Sequence, residues 1–204
     1  MPTPLVVAYF GDRDSPSRLA DLAASHDAPV IAVALDLGGG PTLAELRASA
    51  MAAGALRCHA IDVRDDFVRE VMIPAAKEAN AGNDRTTLDA RARDFVLRHV
   101  GRVAEIEHGT PVALDRPAGW SRAVAVRSTE PVHVSITIGG SEPIAVNDVP
   151  MTPSELVESL ETICGVPAVE VLRVVFSELG GARDGLVALH AEDGACTPQS
   201  TVAV

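Results

Sequence analysis

From Ala8 to Pro16 the chain reads AYFGDRDSP, which gathers Tyr9, Asp12, Arg13, Asp14 and Ser15, residue types able to do chemistry, around one turn. Leu5 to Phe10 is a continuous apolar run with a β-branched centre, short enough for a fully buried strand. Gly11, with no Cβ, lets backbone approach a ligand, and Ser15-Pro16 supplies an N-cap and first-turn pair for a helix whose free amides favour an anion. Asp12 and Arg13 place opposite charges in the same turn.

Further along, Asp36 precedes Gly38-Gly39-Gly40, a loop that could approach a nucleotide or simply connect two elements, with Asp36 capping it. Asp65-Asp66 has the form of a metal or acid/base pair and equally that of first-turn acidity favoured by the helix dipole. Cys58 and His59 are neighbours in a strand, so their side chains point to opposite faces and a thiol-imidazole nucleophile is disfavoured. Arg91, Arg93, Arg98 and Arg102 read as the solvated face of a helix whose buried stripe is Val96, Val100 and Val103.

These groups need a scaffold, and the first half of the chain supplies one. Apolar runs at Leu5–Phe10, Val30–Leu35 and Cys58–Val63 alternate with helical patterns after Ser15, after Thr42 and from Asp66 to about Ala79. Thr42 with Glu45 makes a capping box, and Gly54 ends that helix. Alternation this tight implies a parallel sheet with helices on both faces, and ligands sit beyond the carboxyl ends of such strands. The loops at Gly11 to Ser15 and Asp36 to Gly40 are there. The second half changes period: Ala123–Val126 and Val132–Ile138 are strand-like, Pro143–Val146 returns as a hairpin partner, and Thr152-Pro153-Ser154-Glu155 opens a helix. Val169–Leu179 fits helix or strand, Leu186–Leu189 a last short strand, and the tail beyond Glu192 is small and polar. The division expected is an α/β domain over residues 1–105 and an α+β domain over 106–204. A β-branched hairpin edge is normally paired or covered, so a homo-oligomer is expected.

Several segments resemble argininosuccinate synthases. VVAYFGDRDSP at Val6 to Pro16 is similar to that family's first strand and pyrophosphate loop, A-Y-S-G-G-L-D-T-S; VIAVALDLGG at Val30 to Gly39 and IDVRDDFVREVMIPAAKEANA at Ile61 to Ala81 follow in order. VHVSITIGGSEPIAVNDVPMTPSELVESLETICG, Val132 to Gly165, resembles its hairpin and following helix. About two thirds of the chain is covered, without a large internal stretch of the synthetase domain. The resemblance implies a HUP-type nucleotide-binding fold. It also implies an ATP-dependent reaction in which the ureido oxygen of citrulline is adenylylated and aspartate displaces AMP.

By resemblance, ATP would meet Ala8, Tyr9, Phe10, Gly11, Asp12, Arg13, Asp14, Ser15 and Pro16, with Ala34, Asp36 and Gly109. The co-substrates would meet Thr87, Arg93 and His108. Ala8, Tyr9, Gly11 and Asp14 match the family pattern, and Ser15 replaces Thr. Phe10, Asp12, Arg13 and Pro16 depart from it, removing two hydroxyls, one amide and one glycine while adding a carboxylate. The citrulline segment is met only by Gly82 to Leu88, and the aspartate segment only by His108-Gly109, with no Lys and no Asn-Asp pair after it. The reading is therefore a degenerate member with ligase activity lost or strongly reduced, serving as a small-ligand-binding or partner subunit. An active ligase with another acceptor is the alternative.

Composition narrows the partners. With 17 basic against 28 acidic residues the net charge is −11, and one Trp and one Tyr leave little to stack on bases, so nucleic acid is not an expected partner. No apolar run reaches the roughly 20 residues needed to cross a bilayer and no secretory leader is recognised, so a cytosolic protein without membrane contact is expected. Cys58, Cys164 and Cys196 are odd in number and widely separated, which suggests neither a disulfide framework nor a zinc site.

Overall fold

The apolar runs of the first half become the strands of one parallel sheet. The computed structural model describes residues 2–78, 84–112, 131–192 and 195–203, with the side chains of 84–87 outside that set. Strands β1 (Leu5–Tyr9), β2 (Val30–Asp36), β3 (Arg57–Asp62) and β4 (Thr110–Val112) lie in the order β3-β2-β1-β4. Every neighbouring pair is parallel, with Leu5 opposite both Val30 and Thr110. Helices α1 (Ser15–Ser25) and α2 (Leu43–Ala52) follow the first two strands, and α5 (Asp84–Glu107) precedes β4. Val7, Tyr9, Ala32 and Ala34 pack with Leu19 of α1 and Leu46 of α2, while Val6, Ala8, Ile31 and Val33, on the other face, are equally buried. Each fully buried Val or Leu contributes roughly 1.5–3 kcal/mol, which is why these strands read as unbroken apolar runs and not as alternation.

The chain divides into two compact units, Met1–Arg64 with Ala92–Trp120, and Asp65–Arg91 with Ser121–Val204. The second is built on an antiparallel sheet of order β7-β6-β5-β8-β9: β5 (Val132–Gly139), β6 (Glu142–Val146), β7 (Val149–Pro150), β8 (Gly185–Glu192) and β9 (Ala195–Ala203). Helices α6 (Pro153–Cys164) and α7 (Ala168–Leu179) share one core with it, in which Ile136, Leu156, Leu160, Leu172 and Leu189 are fully buried. α7 settles as a helix because Ala168, Val171, Leu172, Val175 and Leu179 make one buried stripe at helical spacing, and Gly180 closes it in the left-handed region at φ 58°.

Three expectations change. The helix foreseen from Asp66 is α3 (Arg64–Phe67), a π-helical turn (Val68–Met72) and α4 (Ile73–Glu78). The wide turn shifts the phase of the buried stripe, so Val68 and Val71 within it and Ile73, Ala75 and Ala76 after it are all buried. The β5–β6 hairpin has no open β5 edge, since β8 pairs along it from Val132 to Ile138. The small polar tail is strand β9, pairing antiparallel with β8; its side chains are mostly exposed, and backbone bonding, which composition does not register, holds it. Residues 123–126 lie outside the described residues. Among the described residues, no helix is long and apolar enough to cross a membrane.

Candidate functional site

At the carboxyl end of β1 the chain turns through Gly11 (φ 68°) into α1. A Cβ on Gly11 would collide with Leu46 of α2, so this turn is covered by an apolar side chain as well as bent beyond what an L-residue favours. The N-cap of α1 is Asp14, not Ser15, and Asp14 makes no side-chain cap bond. Asp12 takes that part. Its Oδ1 accepts the amide of Ser15 at 2.7 Å, the amide of Asp14 at 3.2 Å and the Ser15 hydroxyl at 2.6 Å. Arg18, one turn into the helix, donates to both carboxylate oxygens at 2.8 and 2.9 Å. Arg13 stays exposed.

Electrostatically this is a filled anion site. Partial burial favours the protonated acid, but the bonds from Ser15 and Arg18 outweigh it and hold the Asp12 carboxyl below its ordinary range. The amides of Asp14 and Ser15 are those an external anion would use at this helix start, and Pro16, on its first turn, has none. The donors converge on an anion, and that anion belongs to the chain.

The second loop is closed in a similar way. Asp36 Oδ1 accepts the amide of Gly38 at 2.9 Å, so Asp36 caps its own loop. Arg64 bridges from 3.7 Å of Asp36 to 2.8 Å of Asp62, joining the ends of β2 and β3 with its stem beside Gly38. The Arg64 bonds hold the Asp62 carboxyl below the usual range. Tyr9 is 1% exposed and shares a hydrogen bond with Ser49 of α2 at 2.7 Å; Ala8 and Ala34 are buried in the sheet. Phe10 and Pro16 are half-buried.

The remaining candidates lie elsewhere. His108 and Gly109 precede β4, whose first residue pairs with Leu5, so they stand at the amino end of the sheet while Gly11 to Ser15 stand beyond its carboxyl end. Gly109 has a local reason to be glycine: a Cβ there would come within 2.8 Å of the Pro4 carbonyl and 2.7 Å of Val6. Arg93 is exposed on α5, and the side chain of Thr87 lies outside the described residues. The structure therefore brings together Tyr9 to Pro16 near the β1 end and leaves His108 and Gly109 apart from them.

Among the other sequence candidates, Cys58 is buried and burial pushes its thiol up, while His59 turns to Glu107 at 2.7 Å, which also takes Arg57. Asp65 accepts the amide of Ser154 at 2.9 Å, capping the start of α6 from a distant point in the chain. Sequence reasoning missed Arg18 and Arg64, the two cations that lock these loops. Arg18 follows Asp12 by six residues and Arg64 follows Asp62 by two, spacings that many Arg residues have to some carboxylate.

Compared with known families, residues 4–116 match the model described as the arginosuccinate synthase N-terminal HUP domain, more than half of the chain. The match takes in β1 to β4, α1, α2 and both loops.

Proposed function

The chain belongs to the family of the arginosuccinate synthase N-terminal HUP domain, and from that premise we propose that it is a degenerate member whose ligase activity is lost or strongly reduced. One observation carries this reading: the Asp12 carboxylate occupies the amides of Asp14 and Ser15 at the head of α1, secured by Arg18. A phosphate arriving there would have to displace a paired carboxylate or share its space with like charge. Three further changes in the loop, Phe10, Arg13 and Pro16, remove donors or alter charge, and each lost charge-assisted hydrogen bond costs about 1.5–3 kcal/mol. Together these exceed the ~5.5 kcal/mol between micromolar and ten-millimolar affinity.

The role left to such a chain is to bind a different small ligand or to act as a subunit beside itself or a complete enzyme. A cytosolic setting, and neither nucleic acid nor membrane as partner, belong to the same proposal, and the acidic balance of the sequence supports leaving out nucleic acid. Calorimetric titration tests the central point. ATP should give no binding heat with the unmodified protein, and combined Phe10→Ser, Asp12→Gly and Pro16→Ser should recover ATP binding without ligase turnover. Micromolar ATP binding by the unmodified chain, with AMP and pyrophosphate formed when citrulline and aspartate are added, would overturn the proposal in favour of an active ligase.

A further inference from the structure

Cys164 and Cys196 are 32 positions apart in sequence and meet in the fold. Cys164 is the last residue of α6 and is 1% exposed, a member of the core that α6, α7 and the antiparallel sheet share. Cys196 is the second residue of β9, opposite Ala191 on β8, half-buried and packed against that same core. The remaining cysteine, Cys58, is buried in β3, in the other compact unit. β9 is the edge strand of its sheet, held on one side only, by β8. A covalent bond from its first residues to the end of α6 would fasten that edge to the core.

We propose that Cys164 and Cys196 form a reversible dithiol/disulfide site, with Cys196 as the attacking thiol, Cys164 as the resolving thiol and low-molecular-weight disulfides as the oxidant. The two sulfurs are chemically unequal. The contact with Cys164 draws the Cys196 thiol below its ordinary range, against burial and the nearby Glu170 carboxylate, while the same contact together with burial pushes Cys164 up. A more acidic, partly accessible thiol facing a buried, reluctant one is the arrangement in which thiol–disulfide exchange starts at the first and finishes at the second.

The exchange balances without any other reactant. The Cys196 thiolate attacks one sulfur of oxidised glutathione, and the S–S bond of glutathione breaks to release one glutathione thiolate. Cys164 gives its proton to that thiolate, and its sulfur attacks the Cys196 sulfur. The Cys164–Cys196 bond forms and the second glutathione leaves as thiolate, taking a proton from solvent in place of the one Cys196 had lost. Two protein thiols are oxidised and one glutathione disulfide is reduced to two thiols. Reduced glutathione reverses both steps.

The test uses the full chain, oxidised glutathione and peptide mapping without reduction. The expected result is a Cys164–Cys196 cross-linked peptide, a fall from three titratable thiols to one, and slower amide exchange across residues 195–203. Cys164→Ala should stop at a stable glutathione adduct on Cys196, and Cys196→Ala should take no adduct at Cys164. A persistent adduct on Cys196 in the unmodified protein, a cross-link involving Cys58, or unchanged exchange across 195–203 in the cross-linked form would overturn the proposal. Because the mapping is read on the unmodified chain, a variant that fails to fold leaves the decision intact.

Discussion

Asp12 is the residue on which the reading of this protein turns, and its charge state makes a prediction by itself. Its carboxyl is held below the ordinary value of 3.8 in the folded chain, so the stability it represents is complete above that value and is lost as pH falls through the folded one. Asp62, Glu107 and the capping residues Glu45 and Glu155 shift in the same direction, each through hydrogen bonds to its neighbours. Thermal unfolding followed from pH 7 to pH 3 should show a falling midpoint below about pH 4. Asp12→Asn keeps an oxygen for the Ser15 amide but loses the ion pair with Arg18, and it should cost about 1 kcal/mol at neutral pH, discounted for an exposed partner. Its acid-induced loss should be shallower than that of the unmodified chain; identical slopes would show that Asp12 is not paired in solution.

At the scale of elements, the two capping boxes behave as their sequences promise. In both, a Thr hydroxyl accepts the amide of a Glu three residues on, while that Glu reaches back to the Thr amide: Thr42 with Glu45, and Thr152 with Glu155. Thr152→Ala should destabilise the second unit by about 1 kcal/mol in denaturant unfolding with no change in the slope of the transition. The joint between β1 and β4 supplies a stronger test. A methyl at Gly109 presses on the Pro4 carbonyl and on Val6, neither of which is the free end of a flexible chain. Gly109→Ala should cost about 1–3 kcal/mol through overpacking. A neutral outcome in chemical denaturation would mean that β4 can part from β1 without loss.

Taken as a whole, the molecule is acidic, and its net charge of −11 keeps copies apart and repels polyanions. It should pass through heparin at moderate salt; retention would reveal a basic patch that the composition conceals. Self-assembly is a separate matter. The hairpin edge from which an oligomer was expected is covered by β8, which leaves β9 as the long edge of the second sheet. Pro198 within β9 has no amide to offer a further strand, a feature that protects edges. Sedimentation at tens of micromolar should still yield a dimer or larger species if the assembly role proposed here holds, and a monomer would remove that role.

Much of this was legible in the residues. The buried strands Leu5–Tyr9 and Val30–Asp36 announced themselves as unbroken apolar runs, and the helix starts at Thr42 and Thr152 as capping boxes, because burial and capping are local patterns written in adjacent residues. The departures at Phe10, Asp12, Arg13 and Pro16 were equally plain. What became of Asp12 was not, since its partner Arg18 approaches only once α1 has formed. The pairing of β9 with β8 depends on backbone bonds between segments that share no apolar signature, and the register of β4 on β1 places His108 and Gly109 at the amino end of the sheet. Cys164 and Cys196 looked unrelated for the same reason. Long-range proximity is set by the packing of whole elements, and a linear spacing carries no record of it.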